Sequence, residues 1–375
     1  LPFVFAQRCL LTRAAQARKR FSLYEAAHEG GAMRHLRNTL YIFTEDAYAT
    51  LDGENIVVKQ SGREMGRVPL HTLEAIFCFS YMGASPALMG TCAERGIGLS
   101  FFTPRGRFLA RSCGAQQGNV LLRKKQYAWS ESEERSLAVA KPFIAGKIYN
   151  SRWVLERGLR DHGLRIETDL VEGASARLAT SLEAVWGCDD DASLRGVEGD
   201  AAATYFSALG ELILRNQDEF AFSRRVRRPP TDPVNAMLSL FYTVLMMDCA
   251  SALEGVGLDS YVGVLHTDRP GRRSLALDLM EELRPVMVDR FVLTAINNRM
   301  VSPEDFDVLE SGEVRLGEDA RKTLFASWQE RKRNEIVHPY LKEKIPWGLV
   351  PHVQALLLAR FIRGDLDGYP AFLWK

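Results

Sequence analysis

No two cysteines in this sequence stand in a CxxC pair. Cys9, Cys78, Cys92, Cys113, Cys188 and Cys249 are scattered without regular spacing, which excludes a disulfide framework and a zinc knuckle and suits a reducing cytosol. Charge of one sign is equally scarce. The 48 Lys and Arg nearly balance the 47 Asp and Glu, leaving a formal net charge of +1. A bulk nucleic-acid binder carries a basic domain with a pI above about 9, so any case for DNA or RNA must rest on local clusters. Long apolar runs are missing too. No stretch of about 18 uncharged apolar residues, the length of a membrane span, occurs, and the run from Val350 to Leu358 is broken by His352 and Gln354. Repeats and low-complexity tracts are absent.

What remains is 46% hydrophobic and 25% charged over 375 residues, the balance of an ordered globular chain with two or three domains. Residues 1–32 stand apart: Arg8, Arg13, Arg18, Lys19 and Arg20 face only Glu25 and Glu29 there, and the first Met is Met33. This segment reads as a basic extension, disordered, a marginal helix or non-native sequence ahead of the true start, with a basic arm that touches DNA as the competing reading.

Residues 33–118 read as an all-β domain. Strand-like runs at Asn38–Thr44, Ala47–Leu51, Ile56–Lys59, Gly62–Pro69 and Leu73–Phe79 follow one another, with Asp52-Gly53 as a tight turn. Ser85-Pro86 starts a helix that Gly96 stops, and a last hairpin turns at Pro104-Arg105-Gly106. Strands at this spacing predict a small β-sandwich with one helix.

Residues 119–375 change to helical spacing. Ser130-Glu131-Ser132-Glu133 supplies a cap and first-turn acids, and Pro142 is placed to kink or split the helix that follows. Further helices are predicted from near Glu198, from Asp232-Pro233 to about Leu253, and from Ser274 through Met287. The fold class is therefore α+β, an N-terminal β-sandwich followed by a larger, mostly helical domain.

Three features carry chemistry. Asp278, Glu281 and Glu282 lie at i, i+3 and i+4 of one helix, so their carboxylates share a face that is either solvated or neutralised by a cation. His266 ends an apolar run and opens a loop holding Arg269, Arg272 and Arg273, a setting that suits a phosphate and a metal together. Glu198 lies at the expected start of a helix, where an acid complements the helix dipole. Carboxylates with an imidazole and no thiolate suit Mg²⁺ or Mn²⁺. Basic clusters at Arg123-Lys124-Lys125, at Arg224-Arg225-Val226-Arg227-Arg228 and at Arg331-Lys332-Arg333 fit a polyanion or a solvated face. The aromatics Tyr127, Trp129, Phe220 and Phe222 beside them are placed either to stack on bases or to pack.

From about Met33 to the end, the chain resembles the CRISPR-associated integrase of spacer acquisition, the "Cas-one" family. The marks are GNVLLRKKQY at 118–127, RGVEGDAAATYFSALG at 195–210, RRPPTDPVNAMLSLFYTVL at 227–245 and VGVLHTDRPGRRSLALDLMEELRPVMVD at 262–289. The closing ARFIRGDLDGYPAFLW looks most like the subtype I-C branch. The resemblance implies that Glu198, His266 and Glu281 hold Mg²⁺ or Mn²⁺, that Asp278 is a further acid of the site, and that Asn235 and Tyr242 support it. Glu282 is then only a neighbour. It implies an endonuclease and integrase that joins the 3′-hydroxyl of a short incoming duplex to a phosphodiester at a CRISPR repeat. Partners follow: double-stranded DNA, a homodimer flanking a small "Cas-two" dimer, a "Cas-four" nuclease, and no membrane, in a prokaryotic cytoplasm. A non-catalytic DNA-binding scaffold of the same fold and a metal hydrolase of small phosphoesters are the competing readings.

Overall fold

The computed structural model describes residues 38–44, 46–104, 108–112, 114, 120–226 and 229–375. The basic extension 1–32, Arg227 and Arg228 lie outside these residues. The N-terminal strands are β1 (Asn38–Ile42), β2 (Ala47–Asp52), β3 (Asn55–Gln60), β4 (Arg63–Pro69), β5 (Leu73–Cys78), β6 (Gly98–Phe102) and β7 (Phe108–Ser112), with helix α1 (Pro86–Glu94) between β5 and β6. An antiparallel meander, β2-β3-β4, faces a mixed sheet ordered β1-β5-β6-β7, in which β5 runs parallel to both of its neighbours. Gly53 turns the first hairpin at a φ of 55°, where a side chain would be strained. The Ser85 hydroxyl accepts from the Leu88 amide at 3.2 Å and Pro86 occupies the first turn of α1.

The central strand β5 is covered on both sides, which is why its sequence is an almost unbroken apolar run. Ile76 and Cys78 pack between the sheets with Ile42, Ile56, Leu88 and Leu99. Phe77 and Phe79 face the other way, into the core of the helical region. That region comprises α2 (Val120–Ser130), α3 (Glu133–His162), α4 (Thr168–Gly187), α5 (Asp191–Leu209), α6 (Pro233–Gly255), α7 (Ser274–Glu281), α8 (Arg290–Asn297), α9 (Glu318–Arg333) and α10 (Val350–Arg363). Two short hairpins interrupt it, β8 (Phe306–Val308) with β9 (Val314–Leu316) and β10 (Glu335–Val337) with β11 (Lys344–Pro346).

Three expectations are corrected. Pro142 does not split α3, which runs unbroken from Glu133 to His162. Helix α5 starts at Asp191, with the Asp190 side chain accepting from the Ser193 amide at 2.7 Å, so Glu198 lies in its third turn and not at its start. The helix from Ser274 ends at Glu281 and gives way to a π turn, Arg284–Asp289. Pro285 has no N–H to continue the α ladder. Helix α6 is long and apolar enough to cross a membrane by composition. Here it centres the helical core, with Met237, Leu238, Phe241, Leu245 and Leu253 fully buried.

The two regions share a wall. The ring of Phe325 on α9 lies 4.6 Å from that of Tyr41 and 5.3 Å from that of Phe79. Beside it, the Lys332 ammonium is buried against Glu74 of β5 at 2.9 Å and Asp248 of α6 at 3.3 Å. Burial opposes its charge, but Asp248 and Glu74 more than offset this and keep it protonated.

Residues 365–375 form a strap without regular structure. Glu282 accepts from the Tyr369 hydroxyl at 2.5 Å, the Gln354 amide at 2.9 Å and the Phe372 backbone amide at 2.7 Å. Asn150 of α3 donates to the carbonyls of Glu282 and Phe372, each at 2.7 Å, and accepts from the Trp374 amide at 3.0 Å. Burial pushes the Glu282 carboxyl up to about 7 despite these donors.

Replacing Lys332 by Met should destabilise the protein by about 3 kcal/mol, because two partly buried carboxylates lose their cation; urea melts of the two proteins measure it. The raised Glu282 carboxyl makes folding take up a proton between about pH 4.5 and 7, so its contribution to stability falls as pH rises through that window. Glu282→Gln should therefore gain on the wild type between pH 5 and pH 8, by up to about 3 kcal/mol. Parallel pH profiles of the two melts would contradict this.

Candidate metal centre

The site is built around a loop and one short helix. From α7, Asp278 reaches back into the loop 256–273. Its Oδ2 accepts from the backbone amides of Val264 at 2.7 Å and Leu265 at 3.1 Å, and its Oδ1 from the His266 amide at 2.9 Å and the His266 Nδ1 at 2.6 Å. Gly263 permits this wrap. A Cβ there would stand 2.7 Å from the Ser274 Cβ and 2.9 Å from the Asp278 Oδ2. With Nδ1 as the donor to Asp278, the His266 Nε2 presents its lone pair on the other side of the ring, 3.8 Å from the Glu281 Oε1.

Glu281 is the centre of the charge arrangement. The Arg284 guanidinium meets its Oε1 at 2.8 Å and the Lys147 ammonium its Oε2, also at 2.8 Å. Lys147 also binds the Glu198 Oε1. Burial works against ionisation of Glu281, but the Arg284 and Lys147 cations oppose it, and the carboxyl is held at about 2. Glu198 from α5, Glu281 from α7 and His266 from the loop are thus brought to one place, bridged by Lys147 from α3. Among the described residues, no three His, Cys, Asp or Glu side chains stand at coordination spacing, since the lysine ammonium lies between the two glutamates.

The donor set nonetheless fits a divalent cation. It offers two carboxylates and an imidazole whose second nitrogen is fixed on a carboxylate, and the Glu281 Oε2 is buried without an aligned hydrogen bond. Glu198, Glu281 and the His266 Nε2 would hold such an ion. Asp278 remains an acid of the site, with both of its oxygens engaged by the loop and the imidazole, so that its place is that of a positioning residue.

Tyr242 and Asn235 are both tied into the surroundings of these groups. The Tyr242 hydroxyl donates to Asp289 at 2.5 Å, the Tyr205 hydroxyl to the same carboxylate at 3.0 Å, and the Tyr242 ring lies between Arg225 at 5.3 Å and Arg284 at 5.2 Å. Burial pushes the Asp289 carboxyl up to about 6. The Asn235 amide donates to the Arg224 carbonyl at 3.0 Å and accepts from the Val226 amide at 2.9 Å, fixing that loop.

The expected DNA contacts divide. Arg224 and Arg269 are exposed and Arg272 is half-buried; Arg123, Lys124 and Lys125 line α2, where the Lys125 ammonium caps the Arg363 carbonyl at 2.7 Å. Arg225 is engaged inside the fold by Asn235 at 2.6 Å and Ser239 at 2.9 Å. Arg273 is buried, with its guanidinium over the Tyr261 ring at 5.3 Å. Phe220 and Phe222 are buried and Trp129 packs edge-on to Phe361 at 5.2 Å, so these three rings pack and do not offer free faces to bases.

Three residues of the site are absent from the sequence reading. Lys147 is the lone cation in an apolar stretch of α3, a pattern that asks for a buried partner. Gln126 sits inside the basic RKKQY cluster but is buried. It donates to the carbonyls of Asp259 at 2.8 Å and Val262 at 3.0 Å and accepts from the Asp259 amide at 2.8 Å, pinning the entry to the His266 loop. Arg195, one turn before Glu198, binds the Leu265 carbonyl and so ties α5 to the same loop.

With this geometry in view, comparison with known proteins gives one answer. Residues 40–330 match the family model "CRISPR associated protein Cas1". The chain is 50% identical to "CRISPR-associated endonuclease Cas1 2" of Rhodospirillum rubrum, over 92% of this chain and all of the relative. It is 33% identical to a "CRISPR-associated exonuclease Cas4/endonuclease Cas1 fusion" of Geobacter sulfurreducens, over 90% of this chain and 60% of the fusion. Among solved structures, a "Casposase bound to integration product" superposes with a TM-score of 0.76 at 21% identity, covering 90% of this chain and 94% of that one. A "Cas6-RT-Cas1--Cas2 complex" chain gives the same TM-score at 23% identity, covering 91% of this chain and 36% of that one. The two superpositions establish the α+β fold, and the family match and the identity of the relatives show that this chain is a member of the Cas1 family.

Proposed function

We propose that this chain is a divalent-metal-dependent DNA endonuclease and integrase of CRISPR adaptation, which inserts short duplex DNA into a repeat array. The observation that carries the reading is the meeting of Glu198, Glu281 and the outward Nε2 of His266 at one point. The endonuclease names of the relatives and the integration product in the casposase structure support it.

The chain's own residues divide the work. Asp278 fixes the imidazole with Nδ1 protonated, leaving Nε2 as the ligating atom. Lys147 and Arg284 keep Glu281 ionised in a buried setting, so that it is a ligand at neutral pH. Arg284, held over Tyr242 and against Glu281, places a fixed positive charge beside the point where the two glutamates meet. A bound Mg²⁺ or Mn²⁺ would polarise the scissile phosphodiester and stabilise the charge that develops there. In strand joining, the 3′-hydroxyl oxygen of the incoming duplex forms the new ester bond to phosphorus. The bond to the target's own 3′-oxygen breaks, and that oxygen leaves with a proton. With water in place of the 3′-hydroxyl the same exchange is hydrolysis.

The same reading carries the partners. Double-stranded DNA is the substrate, and a homodimer of this chain, a small Cas2 dimer and a Cas4 nuclease complete the assembly in a prokaryotic cytoplasm. The Cas1–Cas2 complex and the Cas4/Cas1 fusion among the matched proteins support the last two partners.

A joining assay tests the reading, using the purified chain, its Cas2 partner, a short duplex, a repeat-containing target and Mn²⁺. Glu198→Gln and His266→Ala should each abolish joining and cleavage while duplex affinity stays within about threefold of the wild type, the substituted groups making no phosphate contact of their own. Joining that survives either substitution would end the assignment. Millimolar Mn²⁺ should raise the melting temperature of the wild type by roughly 2–4 °C, and Glu281→Gln should remove most of that increment. Asp278→Asn should weaken Mn²⁺ binding by about 10–100-fold through the misplaced imidazole, as read from the Mn²⁺ dependence of cleavage.

A further inference from the structure

A second concentration of cations stands apart from the glutamates, around the C-terminal strap. Arg157 of α3 and Arg290 of α8 approach the Trp374 ring to 5.8 Å and 4.3 Å from its centroid. Arg331 of α9 lies 5.9 Å from the Trp347 ring, which is itself edge-on to Trp374 at 5.3 Å. The Lys375 ammonium covers Trp153 at 4.4 Å. Three helices and the strap thus bring four cations into one patch.

The side-chain carboxylate recorded beside the patch is already shared. Asp161 is the carboxylate that acts favourably on Arg290, and it is already held by Arg157 at 3.3 Å and Arg160 at 2.9 Å. Arg331 donates to a neutral acceptor, the Val286 carbonyl, at 2.9 Å. The arginines disfavour one another. Burial and then Arg331 and Arg157 bring Arg290 down to about 9, and burial and then Arg157 bring Arg331 down to about 10. Partly buried, mutually repelling guanidinium groups lower their energy most when a compact anion sits among them.

The chemistry of that anion can be narrowed. Each of the three indoles already has a cation against it, so the patch offers charge and planar donor forks in preference to faces for base stacking. Guanidinium forks match phosphate oxygens. Lys147 at the metal centre and Arg157 at the patch are ten residues apart on α3, about 15 Å.

We propose that Arg157, Arg290 and Arg331, held around Trp374 by the strap, form a second phosphate-binding subsite that grips the backbone of DNA at a distance from the metal centre. This rests on the DNA reading above and adds to it a positioning contact that is independent of base sequence.

The test is fluorescence anisotropy of the full chain on a labelled duplex without divalent metal, from 50 to 300 mM salt. Arg157→Gln, whose side chain is exposed, serves as the fold-neutral variant beside Arg157→Gln/Arg290→Gln, and melts confirm both. The double variant should bind about tenfold more weakly at 150 mM salt and lower the log–log salt slope by roughly one unit per arginine. The loss should be the same for duplexes of unrelated sequence. A wild type that binds and joins DNA, with both variants equal to it in affinity and slope, overturns the subsite and leaves the proposed function standing. A wild type that binds no duplex overturns both. A third arm titrates polyglutamate against the intrinsic tryptophan fluorescence. Quenching that the double variant loses but excess duplex does not reverse would make the patch a site for an acidic protein segment and overturn the proposal.

Discussion

The carboxylate of Asp278 is buried among the amides of Val264, Leu265 and His266, and the loop that carries the imidazole folds onto it. That carboxylate engages both the backbone amide and the ring nitrogen of His266. Gly263 is needed because the chain passes too close to α7 for a side chain. Gln126 and Arg195 secure the same loop from α2 and α5. The imidazole is therefore set in orientation and tautomer before any ligand arrives, and the helix that supplies Asp278 supplies Glu281 one turn later. The i, i+3 spacing has a mechanical meaning: one acid builds the loop and the next faces Lys147, Arg284 and the imidazole.

The cations of the centre follow from that arrangement. A carboxylate as buried as Glu281 would take up a proton if it were alone, and a protonated acid is a poor metal ligand. Lys147 and Arg284 prevent this, and Arg284 is in turn steadied by Tyr242. At the π turn after α7, Arg284 meets Glu281 three residues back and Asp289, five residues on, receives the two tyrosines. A regular helix through Pro285 could not be continued, and π turns of this kind recur at functional sites. The structural irregularity and the chemistry thus share one cause in the sequence.

Much of this was legible beforehand, for identifiable reasons. The β-sandwich announced itself because β5 is buried on both faces and Asp52-Gly53 and Gly96 mark turns that only certain residues allow. The helix caps at Ser85, Ser132 and Asp232 were local and so readable. Glu198, His266 and Glu281 could be named from the family motifs, but their meeting was not readable, since it depends on packing between α3, α5 and α7. Glu198 lies in the third turn and not at a helix start because the Asp190 cap sets the boundary earlier. The arginines were harder still. Composition shows a guanidinium but not whether Asn235, a Tyr261 ring or solvent surrounds it, so Arg225 and Arg273 looked like surface cations and are interior ones.

The strap adds a last constraint. Glu282 follows Glu281 directly yet points the other way, into Tyr369, Gln354 and Phe372. Because neighbouring residues on one helix cannot move independently, the docking of residues 369–374 and the position of Glu281 are linked through a single turn of α7. Asn150 extends the link to α3, three residues from Lys147. Trp374, at the end of the same strap, is the ring around which Arg157 and Arg290 gather. The chain's last residues thus hold Glu282, next to Glu281, and Asn150 of α3, and a well-fixed strap restricts the separation of Glu281 and Lys147 on which the buried charge balance depends.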